Sequence, residues 1–94
     1  MITDLGAGRC TVAGDLTLAT VGQLWRQLQS SSLLHTASSA DLGQVAQSDS
    51  AGLAFLVAWR AACRAKGGDL SVTAVPERLN ALARLTDADA ILSG

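Results

Sequence analysis

Asp41-Leu42-Gly43-Gln44-Val45-Ala46-Gln47-Ser48-Asp49-Ser50-Ala51-Gly52-Leu53 reads as the end of a strand, a polar loop and the start of a helix. Strand character is centred on Ser39-Ala40-Asp41-Leu42, although Ser and Asp are poor strand formers. Gly52 to Lys66 is rich in Ala and Leu, contains no proline and stops at Gly67-Gly68. That composition favours helix, and paired glycines suit a left-handed C-terminal cap. Ser48, Asp49 and Ser50 stand where a helix leaves backbone N–H groups unsatisfied, so each is a candidate cap.

Towards the N-terminus, Met1–Leu5 and Arg9–Ala13 read as two strands joined by Gly6-Ala7-Gly8, residues tolerant of positive φ. Cys10 and Val12 share a face of the second strand, which Gly14-Asp15 closes. Thr17 is a candidate N-cap for a helix in which Leu18, Val21, Leu24, Trp25 and Leu28 recur at helical spacing. The polar run Gln29-Ser30-Ser31-Ser32 ends it, and Leu33-Leu34 can tuck the following loop down.

Towards the C-terminus, Leu70, Val72 and Ala74 alternate as a strand. Pro76 and Glu77 suit the first turn of a last helix, whose apolar face is Leu79, Leu82, Ala83 and Thr86. Ile91-Leu92 forms a short apolar tail. The order strand, strand, helix, strand, helix, strand, helix (ββαβαβα) implies an α/β fold: a mixed sheet of about four strands, with parallel pairs made by crossover helices. Residues 1–94 read as a single domain.

Composition narrows the function classes. Of the 94 residues 49% are hydrophobic but only 3% aromatic, so the core is built from Leu, Val and Ala. The net charge of −1 offers no attraction to nucleic acid or an anionic membrane. The longest apolar stretch, Leu53 to Trp59, is far below the ~20 residues that cross a bilayer. No secretory signal pattern stands at the N-terminus, so a cytoplasmic protein without direct membrane insertion is expected. Cys10 and Cys63 lack metal-type spacing and read as reduced, buried residues.

Catalytic chemistry is hard to assemble. His35 is the one histidine and has no carboxylate nearby in sequence. Gly6-Ala7-Gly8 lacks the third glycine and following helix of a dinucleotide fingerprint, and there is no phosphate loop. Cys63 falls mid-helix without a histidine partner. Asp87 and Asp89 read as a solvated turn, not a metal site. The expectation is no catalytic residue, no metal and no cofactor; a small nucleotide-binding module or enzyme is the outlying alternative.

The segment quoted at the start resembles the signature of STAS domains, the sulphate-transporter and anti-sigma-factor-antagonist family. There a strand ending in Asp-Leu is followed by a loop and then Asp-Ser/Thr-small-Gly-Leu at a helix start. Val12-Ala13-Gly14-Asp15-Leu16 resembles the family's apolar-Gly-Glu-Leu-Asp segment. Lys66-Gly67-Gly68-Asp69-Leu70 and Val75-Pro76-Glu77-Arg78-Leu79 stand where the family has a Gly-rich turn and its third helix. The resemblance covers nearly the whole chain. It departs from the family at Thr17, where many bacterial members have Asp, at Asp15 in place of Glu, and in a serine-rich third strand.

The resemblance implies a STAS fold and a protein that works by docking. Leu24-Trp25, the minimal length and Leu79-Asn80-Ala81-Leu82-Ala83-Arg84-Leu85 look most like the STAS subunit of the bacterial phospholipid-transport (Mla) ABC complex. That subunit sits on the cytosolic ATPase, within a complex with its permease, peripheral to the inner membrane, and serves outer-membrane lipid asymmetry. The alternative is an anti-sigma-factor antagonist whose partner kinase phosphorylates the serine matching Ser50. The candidate partner-binding or regulatory residues are Asp49, Ser50, Ala51, Gly52, Ala54, Phe55, Ala58 and Trp59. Leu53, Leu56 and Val57 can face the sheet, Ala54, Ala58, Ala61 and Ala65 form a second stripe, and Phe55 and Trp59 project on a further side. An apolar surface on several sides suggests cover by another chain, with Trp59 as its anchor.

Overall fold

The computed structural model describes residues 1–85. In chain order it contains β1 (Ile2–Gly6), β2 (Arg9–Leu16), α1 (Val21–Gln29), α2 (Leu33–Thr36), β3 (Ser39–Ser48), α3 (Ser50–Ala65), β4 (Ser71–Thr73) and α4 (Glu77–Leu85). Thr86, Asp87, Asp89 and Ile91-Leu92, singled out in the sequence, lie outside the described residues.

One four-stranded sheet has the order β1-β2-β3-β4. β1 and β2 are antiparallel, and β2–β3 and β3–β4 are parallel. The mixed sheet and ββαβαβα order expected from the sequence are therefore present, with the short helix α2 added. The β1–β2 turn holds Gly6, Ala7 and Gly8 at φ of 87°, 56° and 80°. A Cβ at Gly8 would stand 2.8 Å from Ser38 Oγ and 3.1 Å from Thr36 O, so glycine there also admits the chain entering β3.

Register explains why the weak third strand forms. Cys10 pairs with Ala40 and Ala40 with Val72, and all three are buried under the helices. Thr3, Thr11, Asp41 and Thr73 occupy the next row, on the opposite face, where polar side chains are tolerated. β2 and β3 run on to Leu16 and Ser48, which pair with each other. Both strands are longer than local propensity indicates, because pairing along β2 outweighs the poor strand preference of Ser, Asp and Gly. β4 is shorter than the Leu70–Ala74 alternation implied. Ala74 is exposed at φ 53°, and the strand ends before it.

Gln27 of α1 replaces a strand partner on β1: its Nε2 donates to Ile2 O at 2.7 Å, and its Oε1 accepts from Ile2 N at 3.2 Å. α1 begins at Val21, not at the Thr17 cap expected. Thr20 precedes the helix, and its hydroxyl donates back to Asp15 O at 2.7 Å. Leu18 consequently falls in the β2–α1 loop, off the buried face of the helix, and is 78% exposed. α3 ends as the sequence implied. Gly67 has φ +85°, Gly68 N donates to Cys63 O and Gly67 N to Arg64 O, the double bond of a Schellman cap.

The core places Leu16, Leu28, Leu42, Leu56, Trp59 and Leu79 between sheet and helices. Cys10 and Cys63 are both free and buried. Burial pushes the Cys10 thiol up to about 11 and raises that of Cys63 as well.

Candidate functional site

The site begins where β3 gives way to α3. Asp49 has extended backbone and caps the helix: its Oδ1 accepts from Ala51 N at 2.9 Å and Gly52 N at 3.1 Å. Its Oδ2 accepts from Leu18 N at 3.1 Å, and its own N–H donates to Leu16 O at 3.3 Å. The Leu18 N–H is the largest cause holding the Asp49 carboxyl below its ordinary value, joined by the Gly52 and Ala51 amides and the charge of Arg78. Of the three candidate caps, Asp49 alone does the capping. Ser48 is buried, and its carbonyl accepts from Arg78 Nε at 2.8 Å.

Ser50 is the first residue of α3 and is exposed, and its hydroxyl has no hydrogen-bond partner among the described residues. Because Asp49 satisfies the helix end, that hydroxyl is available to another molecule. Gly52 has a different role. A Cβ there would stand 2.1 Å from Leu16 O, so glycine lets α3 cross the end of β2 in direct backbone contact.

The sequence-derived candidates sort into two groups. Ser50, Ala54 and Ala58 are exposed, with Asp49 and Ala51 half-buried beside them. Gly52, Phe55 and Trp59 are buried. Trp59 is 0% exposed and donates from Nε1 to Leu33 O at 2.9 Å, so it is a core residue and not a surface anchor. Phe55 is 5% exposed, with its ring centroid 6.0 Å from that of Trp25 at 82°. The apolar side of α3 that suggested another chain is covered by this chain's own α1 and α2. Val57, expected against the sheet, is only half-buried.

What stays open lies between α1 and α3. Val21, Gly22 and Trp25 from one helix and Ala51, Ala54, Phe55 and Ala58 from the other line a shallow groove of about 410 Å³. No charged side chain lines it. The α1 contribution was not singled out from the sequence, where Leu18, Val21 and Trp25 all read as the buried stripe of one helix. Gly22, a poor helix former within a helix, was the available signal.

At the other end of α3, Arg60 Nε lies 2.8 Å from Asp69 Oδ1 and Arg64 Nε 3.7 Å. The Arg60 hydrogen bond is the largest cause lowering the Asp69 carboxyl to about 2. His35 Nδ1 is 3.2 Å from Ala62 O, where the Nδ1–H tautomer donates. Among the described residues no group of three or more His, Cys, Asp or Glu is placed to hold a metal ion, and no helix is long and apolar enough to cross a membrane.

Comparison with known proteins agrees with this fold. A family model described as "Mlab, STAS domain" matches residues 3–93. No curated protein sequence matches. Among solved structures, the anti-sigma factor antagonist SpoIIAA in its unphosphorylated form superposes with a TM-score of 0.75, over 98% of this chain and 84% of that one. The two are 9% identical, so the likeness is one of fold.

Proposed function

The chain belongs to the STAS domain family, and from that premise we propose that it is a non-enzymatic accessory subunit that docks on the ATPase of an ABC phospholipid transporter. In this reading it is of the Mla type, held at the inner membrane through its partner, and it supports assembly and activity of the ATPase–permease complex. The observation that carries the reading is a groove lined by no charged side chain, with the exposed Ser50, whose hydroxyl is not used as a cap, next to its lining residue Ala51. Such a surface is suited to an apolar protein contact, since no polar group in the groove has to lose water without a partner. The family model's own description, which names Mlab, supports the transporter partner.

The test is purification of the tagged chain from detergent-solubilised membranes of its native host. An ABC ATPase and its permease in stoichiometric amount is the expected result. Recovery of a serine kinase of the anti-sigma type, without the transporter, would replace this reading with the second one.

That second reading, an anti-sigma-factor antagonist switched by phosphorylation of Ser50, is favoured by the same free hydroxyl and by the SpoIIAA-like fold. A phosphate would add about −1.5 to −2 charge beside Asp49 and repel a docked partner without refolding the domain.

A further inference from the structure

We propose that the Gln27 carboxamide closes the outer edge of β1 against strand addition by a second copy of this chain; this stands apart from the docking reading above. β1 is a terminal strand of the sheet, with β2 on one side only. Met1 and Ala13 exchange both of their backbone bonds at 2.8 Å, and the antiparallel register pairs Ile2 with Val12, Thr3 with Thr11 and Asp4 with Cys10. Bonded and non-bonded pairs alternate along such a ladder, so the N–H and C=O of Ile2 and Asp4 point away from β2. An edge of that kind is a template for another strand. At Ile2 it is filled: Gln27 Nε2 donates to Ile2 O at 2.7 Å, and Ile2 N donates to Gln27 Oε1 at 3.2 Å. One primary amide supplies the donor and the acceptor that the backbone of a neighbouring strand would supply.

A second copy is the strand excluded, because this edge is complementary to itself. In an antiparallel pair of β1 strands about a two-fold axis at Thr3, Ile2 of each copy would exchange both bonds with Asp4 of the other. Gln27 makes the same two bonds to Ile2 within one chain, without the loss of freedom that association costs. Asp4 works in the same direction. Its side chain is exposed, and in that pair it would bring a charge beside Ile2 of the other copy, a residue only 5% exposed. Charged residues on edge strands oppose pairing for this reason. The opposite edge of the sheet is closed by its length: β4 has three residues, and Ala74 at φ 53° ends it.

The experiment measures the solution mass of the purified chain by sedimentation equilibrium. The proteins compared are wild type, Gln27→Ala, Asp4→Pro, Gln27→Ala with Asp4→Thr, Gln27→Ala with Asp4→Pro, and Gln23→Ala, an exposed amide on the same helix, as a control. Wild type and Gln23→Ala are expected at the mass of one chain. Gln27→Ala is expected to shift towards twice that mass as concentration rises, and Asp4→Thr to strengthen the shift. Proline at position 4 removes an outward N–H that paired edges need, so Asp4→Pro is expected to return Gln27→Ala to the mass of one chain. A folded Gln27→Ala that stays at one-chain mass, alone and with Asp4→Thr, would overturn the inference, as would a dimer that Asp4→Pro leaves intact. A wild-type dimer that Asp4→Pro dissociates would also overturn it, since the edge would then be open. Gln27→Met keeps the length and helix preference of glutamine but has no amide, and it is read by the same outcomes if the alanine variant fails to fold.

Discussion

Asp49 Oδ2 accepts the backbone N–H of Leu18 at 3.1 Å, across 31 positions of sequence. One carboxylate thereby caps α3 and fixes the loop entering α1. Asp49 takes up the helix-end amides, and Ser50 keeps its hydroxyl free. The division follows from geometry. A residue preceding the helix can turn its side chain back onto the first-turn N–H groups, whereas the first helical residue projects outward.

Ser50→Ala is accordingly expected to change stability by less than about 0.5 kcal/mol, as for a surface site without a cap. Ser50→Asp is expected to melt near wild type and to lose the ATPase partner in co-purification. A loss of about 1 kcal/mol in Ser50→Ala, the scale of a removed cap, would mean that the hydroxyl satisfies the helix end after all.

Trp59→Ala is expected to cost about 3–5 kcal/mol in denaturant unfolding, because a buried indole leaves a large cavity and its hydrogen bond to Leu33 O is lost. Trp25→Ala removes a half-buried ring from the wall of the groove and is expected to cost less stability and more binding. Equal stability losses in the two variants would contradict this assignment of core and surface.

Gly22→Ala separates folding from docking. A Cβ at Gly22 meets nothing within 4 Å, and alanine in a helix interior is favoured over glycine by about 0.5–1 kcal/mol. The variant is expected to melt several degrees higher while binding the partner more weakly, since the added methyl enters the groove. Tighter or unchanged binding would move the partner off this face.

Acid unfolding tests the two lowered carboxyls. Asp49 is held below its ordinary value by the Leu18 amide, and Asp69 is lowered to about 2 by Arg60. A carboxyl lowered in the folded state contributes stability above its unfolded value, and that stability is lost as pH falls through the folded one. Stability is expected to decline from about pH 4 towards pH 2, and Asp69→Asn to flatten that slope. An unchanged slope in circular-dichroism titration of Asp69→Asn would show that the ion pair contributes nothing, as many exposed pairs do.

The sequence by itself determined the features that depend on neighbouring residues. The Gly6-Ala7-Gly8 turn, the long α3 with its Gly67-Gly68 stop, the cap region at Ser48–Ser50 and the alternation of strands with crossover helices were all legible, because turn and cap geometry is local. Tertiary structure decided how far β2 and β3 run, since Leu16 and Ser48 are held as strand by each other. It also decided which apolar residues stay outside. Periodicity states which side chains share a helix face, but not what covers that face. On α3, with apolar residues nearly all round, Phe55 and Trp59 read as a free surface until α1 and α2 covered them. On α1 an N-cap at Thr20 instead of Thr17 left Leu18 in a loop, where a hydrogen bond from its backbone to Asp49 holds it in water. That outcome depends on a contact 31 positions away, which no local pattern encodes.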